Sequence, residues 1–68
     1  MCLSTVYVRQ AERREQLARN VATVRTRDGK LVFTDIMGVT TEVDAEIETI
    51  DLMENYIYIR LRDPDVSA

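Results

Sequence analysis

The sequence has 68 residues, 46% of them hydrophobic and 31% charged, with one cysteine and no histidine. That is apolar enough for one folded domain and too short for several, which sets aside a disordered chain and a multidomain enzyme. Nine basic residues against twelve acidic ones give a net charge of −3, not the balance of a dedicated nucleic-acid binder.

Taken in chain order, the dominant pattern has a period of two, the signature of half-buried strands. In "MCLSTVYV" the residues Leu3, Thr5 and Tyr7 alternate with Ser4, Val6 and Val8. "RQAERREQLARN" breaks the pattern. It is rich in helix formers, but its apolar content is thin for a packed helix, so residues 10–14 are expected to turn and a short strand to follow near Glu15–Arg19. "NVATVRTRDGKLVFTDI" reads as two strands around Asp28-Gly29, a dipeptide suited to the positive backbone angles of a tight hairpin, with Arg25 and Arg27 facing water.

In "VTTEVDAEIETIDLM", Val43, Ala45 and Ile47 point one way and Glu42, Asp44, Glu46 and Glu48 the other; then the parity slips to Ile50 and Leu52. A one-residue slip predicts a bulge or bend near Glu48-Thr49. Glu54-Asn55 is expected to turn the chain. "YIYIRLR" makes a last strand with Ile57, Ile59 and Leu61 inward and Tyr56, Tyr58, Arg60 and Arg62 outward. The expected fold class is all-β: five or six short strands in a small SH3-like antiparallel β-barrel, one domain over residues 1–62 with a polar tail over 63–68.

A chain this small buries only about 60% of its unfolded surface, and one cysteine cannot form an internal disulfide. A metal ion or a second copy is therefore the expected support. The charges are also segregated. No basic residue lies between Lys30 and Arg60, where seven acidic ones do, which favours self-association or a charged partner. No apolar run approaches the roughly 18 residues of a membrane helix, and no secretory signal is visible, so no membrane partner and a cytoplasmic setting are expected.

Three stretches, "MCLSTVYV", "VATVRTRDGKLVFTDIMG" and "EVDAEIETIDLMENYIYIRLR", resemble the CooT family of small proteins, with the Met-Cys start, the "TDIMG" turn and "IETIDLMENYIYI" as the most specific parts. The likeness covers nearly the whole chain apart from residues 10–19 and the tail. It implies an SH3-like barrel, a homodimer, and a nickel ion at the dimer interface held through the cysteine after the initiator, here Cys2. It also implies a link to carbon monoxide dehydrogenase maturation, and the family has carried the label of RNA-binding protein. Residues 11–19 lack the glycine-centred turn of many such members.

The chemistry of Cys2 is consistent with that implication. A thiolate suits soft or borderline ions, but one thiolate is too few for a closed site. Two copies related by a two-fold axis bring two thiolates and two backbone nitrogens, from the terminal amine, or from the Cys2 amide when Met1 is retained. Such an N2S2 set, with Cys2 and Met1 as its residues, points to Ni(II) or Cu(II), whereas zinc usually recruits histidine or more cysteine. The plain alternative is that Cys2 is a small hydrophobe on the first strand.

A different reading uses the outward row Tyr56, Tyr58, Arg60 and Arg62, with Arg25 and Arg27 beside it if those strands pair, as an RNA- or protein-binding face. The row Glu42, Asp44, Glu46 and Glu48 lies along a line, unlike the converging oxygens of a calcium loop, and reads as a solvated strand face. Met37 and Met53 read as core or interface residues. Without histidine no acid–base pair or triad can be assembled, and no glycine-rich phosphate loop is present, so an enzyme is not expected. The expectation is a nickel-binding homodimer that serves a nickel enzyme or its maturation factor.

Overall fold

A computed structural model describes residues 3–62. Six strands follow one another: β1 (Ser4–Gln10), β2 (Arg13–Arg27), β3 (Lys30–Asp35), β4 (Thr40–Val43), β5 (Ala45–Asp51) and β6 (Tyr56–Leu61). They form one sheet in the order β4-β3-β2-β1-β6-β5. The all-β expectation holds, with one correction. The sheet is mixed, because β1 and β6 pair in parallel through Thr5–Tyr56, Val6–Ile57, Tyr7–Tyr58 and Val8–Ile59. All other pairings are antiparallel.

Two long segments curl the sheet into a half-barrel. β2 runs for 15 residues, pairing with β1 through its first half and with β3 through its second. The strand bends where those halves meet: Asn20 has φ 56°, and the ladder shifts register between Val21 and Thr23. Likewise β4 and β5 are one stretch of chain divided only at Asp44. Its first part pairs with β3 and its second with β6, so both ends of the sheet belong to the same segment. The predicted parity slip is a bulge between Ile47 and Thr49.

The expected turn over residues 10–14 is tighter than predicted, and no separate short strand exists at 15–19. Gln10 pairs with Arg13 around Ala11-Glu12, and residues 15–19 continue into β2. Helix-forming composition is overridden here because the ladder with β1 satisfies this stretch of backbone in extended form. Ala11 has φ 55° at the first central position of this two-residue turn, where glycine is the favoured residue. At the β2–β3 hairpin, Asp28 (φ 52°) and Gly29 (φ 79°) take the two left-handed positions expected of them. Asn55 (φ 59°) closes the β5–β6 turn.

The core draws on every strand but β4: Val6, Val21, Leu31, Phe33, Ala45, Ile57 and Ile59 are buried, with Val8, Leu17, Ala18 and Val43 packed against them. Val6 and Ile59 are fully enclosed, on the strands whose parallel pairing joins the two halves of the sheet. The inward alternation fades toward the margin, where Ile47 and Leu61 remain 39% and 37% exposed.

Candidate functional site

Cys2 and Met1 lie outside the described residues, so the site is built from what surrounds the start of β1. Two turns meet there. On one side the Thr5 amide donates to the Asn55 carbonyl (3.0 Å), joining β1 to the β5–β6 turn. On the other, Ser4 pairs with Val21, and the neighbouring Asn20 carbonyl accepts the Ile36 amide of the β3–β4 turn (2.9 Å).

The two turns are built alike. In the β3–β4 turn, the Asp35 carboxylate accepts the amides of Met37 (2.8 Å) and Val39 (2.9 Å). In the β5–β6 turn, the Asp51 carboxylate accepts those of Met53 (2.9 Å) and Glu54 (2.7 Å). Aspartate closing its own turn is ordinary turn chemistry. The apolar residues beside it are not, since loops and their margins usually present polar side chains. Ile36, Met37 and Val39 are 55%, 84% and 60% exposed, and Ile50, Leu52 and Met53 are 52%, 80% and 90% exposed. Six of the large exposed hydrophobic residues thus flank the strand whose second preceding residue is Cys2. The signal was in the sequence as a repeated Asp-apolar-Met, "DIM" and "DLM", each beginning where a strand ends.

Among the described residues no group of three or more histidine, cysteine, aspartate or glutamate side chains converges on a point. The carboxylates have other uses. Asp35 and Asp51 hold turns, while the β5 row faces arginines: Glu46 meets Arg60 at 3.2 Å, Glu48 meets Arg60 and Arg9 at 3.9 Å, and Asp44 meets Arg62 at 3.6 Å. The hard-metal reading of that row finds no support in this arrangement.

The same ladder bears on the aromatic face. Tyr56 and Tyr58 do share the outer side of β6, and Tyr7 joins them from β1, with ring centroids 4.8 Å (Tyr56–Tyr58) and 5.5 Å (Tyr7–Tyr58) apart. Arg25 and Arg27 do not lie beside them, because those residues sit on the half of β2 that pairs with β3, with β1 between β2 and β6. The arginines that meet the rings are Arg9, over Tyr58 at 5.3 Å, and Arg14, over Tyr7 at 5.0 Å and donating to the Tyr58 hydroxyl. Sequence reasoning missed both, since only the strand order brings them to the tyrosines. Arg60 and Arg62 extend the row but are engaged by Glu46, Glu48 and Asp44. Partial burial and the neighbouring Asp51 carboxylate hold the Tyr56 phenol above its ordinary pKa.

Comparison with known proteins places this fold. A family model described as "CO dehydrogenase accessory protein CooT" matches residues 1–60. The crystal structure of a chain assigned as CooT from Carboxydothermus hydrogenoformans superimposes with a TM-score of 0.86 at 18% sequence identity, covering 91% of this chain and 100% of the other. At that identity the likeness establishes the fold. No curated protein matches the sequence. CooT is an accessory protein of CO dehydrogenase and not itself an enzyme. The matched family model takes in all but the last eight residues, and the chain therefore belongs to the CooT family.

Proposed function

We propose that this protein is a nickel-binding accessory factor: an SH3-like half-barrel that pairs with a second copy and holds one Ni(II) per dimer between the two Cys2 thiolates and the first backbone nitrogens of each chain. The observation that carries this reading is the apolar collar. Ile36, Met37, Val39, Ile50, Leu52 and Met53 lie in or beside the two turns that meet at the start of β1, and they stay exposed in one copy. A two-fold contact through that collar covers them and brings two N-termini together, which supplies the second thiolate that one chain lacks. The ion is cargo, and the chain offers it a soft donor set without histidine. A nickel enzyme of the CO dehydrogenase type, or a factor that matures it, is the fitting recipient, and a reducing cytoplasm is the setting in which Cys2 stays a free thiol.

The test is a nickel titration of the wild type and of Cys2→Ser. The wild type is expected to reach its endpoint at one ion per two chains with thiolate-to-metal charge-transfer absorption, and to bind more weakly as pH falls because the thiols must deprotonate. Cys2→Ser should stay folded and lose tight binding. Unchanged nickel affinity in that variant overturns the assignment. The nucleic-acid reading of Tyr56, Tyr58, Arg60 and Arg62 draws less support, because the two arginines already face carboxylates.

A further inference from the structure

The outer face of β2, β3 and β4, remote from the tyrosines, carries a groove of about 590 Å³. Cross-strand pairing sets Arg25, Val32 and Glu42 in one row and Arg27 and Lys30 in the next, at the hairpin end. Across the sheet of this net-negative protein, Arg9, Arg60 and Arg62 all meet carboxylates. Among the described residues, Arg25, Arg27 and Lys30 form no ion pair. Glu42 is the one carboxylate lining the groove, and two strand spacings, about 10 Å, separate it from Arg25. That is about a Debye length at physiological salt, so the strip stays positive.

The strip has a definite spacing. Arg25 and Arg27 are alternate residues of one strand, about 6.8 Å apart on the same face. An extended peptide carries alternate side chains at the same interval, so carboxylates two residues apart match the two guanidiniums. Lys30, opposite Arg27, adds a third charge at that end, and half-buried Val32, opposite Arg25, gives the methylene of an acidic side chain an apolar floor. Glu42 repels the same peptide on the β4 side, which confines it to β2 and β3. Two other occupants fit less well. The acidic row of β5 on a second copy is already engaged by Arg9, Arg60 and Arg62. A nucleic-acid strand also carries spaced anions, but no aromatic side chain lines this groove for a base to stack on.

We propose that this face is a docking site for an extended acidic segment of a partner protein, whose carboxylates on alternate residues meet Arg25 and Arg27. The planar guanidinium fork suits a carboxylate, which favours an acidic side chain as the group received. The contacts are exposed ion pairs, individually weak, so the complex is transient and salt-sensitive. The inference stands independently of the nickel reading.

The probe is an end-blocked TDTDTD peptide, with its isomer TTTDDD as control, titrated into the isotope-labelled full chain and followed by backbone amide shifts. At low salt TDTDTD should shift the amides of Arg25, Arg27 and Lys30 saturably, TTTDDD should bind more weakly, and high salt should abolish both. Arg25→Gln/Arg27→Gln should weaken binding about fivefold, as expected for the loss of two exposed ion pairs. Lys30→Gln, which leaves β2 unaltered, should weaken it in the same sense, and Glu42→Gln should tighten it. Unshifted amides on this face, equal binding of the isomer, or variants that bind as the wild type does each overturn the proposal. So does an oligouridylate that binds these residues more tightly than the peptide, which makes the face a nucleic-acid site instead.

Discussion

Replacing Leu52 by lysine should dissociate the proposed dimer while leaving the fold intact. The six collar residues are 52–90% exposed in one copy. Full burial of such a side chain contributes about 1.5–3 kcal/mol, so covering what remains exposed contributes on the order of 6–12 kcal/mol per protomer and twice that per pair. Association itself costs about 4–15 kcal/mol, which burial of the collar matches or exceeds over most of that range. Leu52 is 80% exposed, and its removal forfeits about 2 kcal/mol of burial in each protomer. Two-fold symmetry counts the loss twice, and an ammonium must also be dried at each site. About 4 kcal/mol corresponds to roughly a 1,000-fold weaker dimer. Sedimentation equilibrium over a range of concentrations reads this directly, and circular dichroism confirms that Leu52→Lys is folded. A wild type that remains monomeric at high concentration, or a Leu52→Lys variant that dimerises as well as wild type, refutes the reasoning.

Ala11→Gly should raise the melting temperature by a few degrees, because the left-handed backbone at Ala11 costs an L-residue about 1 kcal/mol and glycine's greater chain entropy returns only part of it; a lower melting point contradicts the turn geometry. Ile59→Ala, at a site with no exposed surface between β1 and β5, should cost about 2–5 kcal/mol and unfold much of the population at room temperature, whereas Ile59→Val should cost about 0.5–1.5 kcal/mol, both read by urea denaturation. The Tyr56 phenol is raised, so the folded state favours its neutral form. Any stability it lends is present below the ordinary tyrosine pKa and lost as pH rises through the folded value. In an ultraviolet titration Asp51→Asn should bring the ionisation of Tyr56 to lower pH, and an unmoved titration argues against the Asp51 contact.

The strands were readable because each buries one face, and burial writes a period of two. The bulge at Ile47–Thr49 was readable for the same reason, as a slip in that period, and Asp28-Gly29 declared its hairpin through backbone conformation alone. What escaped was set by partners distant in the chain. Nothing local in "STVYV" distinguishes a parallel neighbour from an antiparallel one, and "RREQLAR" is a strand only because β1 lies along it. The pairing of Arg14 with Tyr58 likewise depends on β1 and β6 being neighbours. The collar was half legible. Met37 and Met53 suggested core or interface, but only the bond from the Thr5 amide to the Asn55 carbonyl on one side of β1, and that from the Ile36 amide to the Asn20 carbonyl beside the Ser4–Val21 pair on the other, bring both turns to the same end of the sheet.

The parallel pairing of β1 with β6 sets an order of events during synthesis. The first strand made finds its second neighbour only in the last, and the Thr5 amide waits for the Asn55 carbonyl. The hairpins from β2 to β4 need only residues close in sequence, but the start of β1 gains its second neighbour only once residues 55–59 are in place. On the proposed nickel reading, an ion taken up at Cys2 would enter a finished protein, and a truncated product without β6 would lack one side of the site.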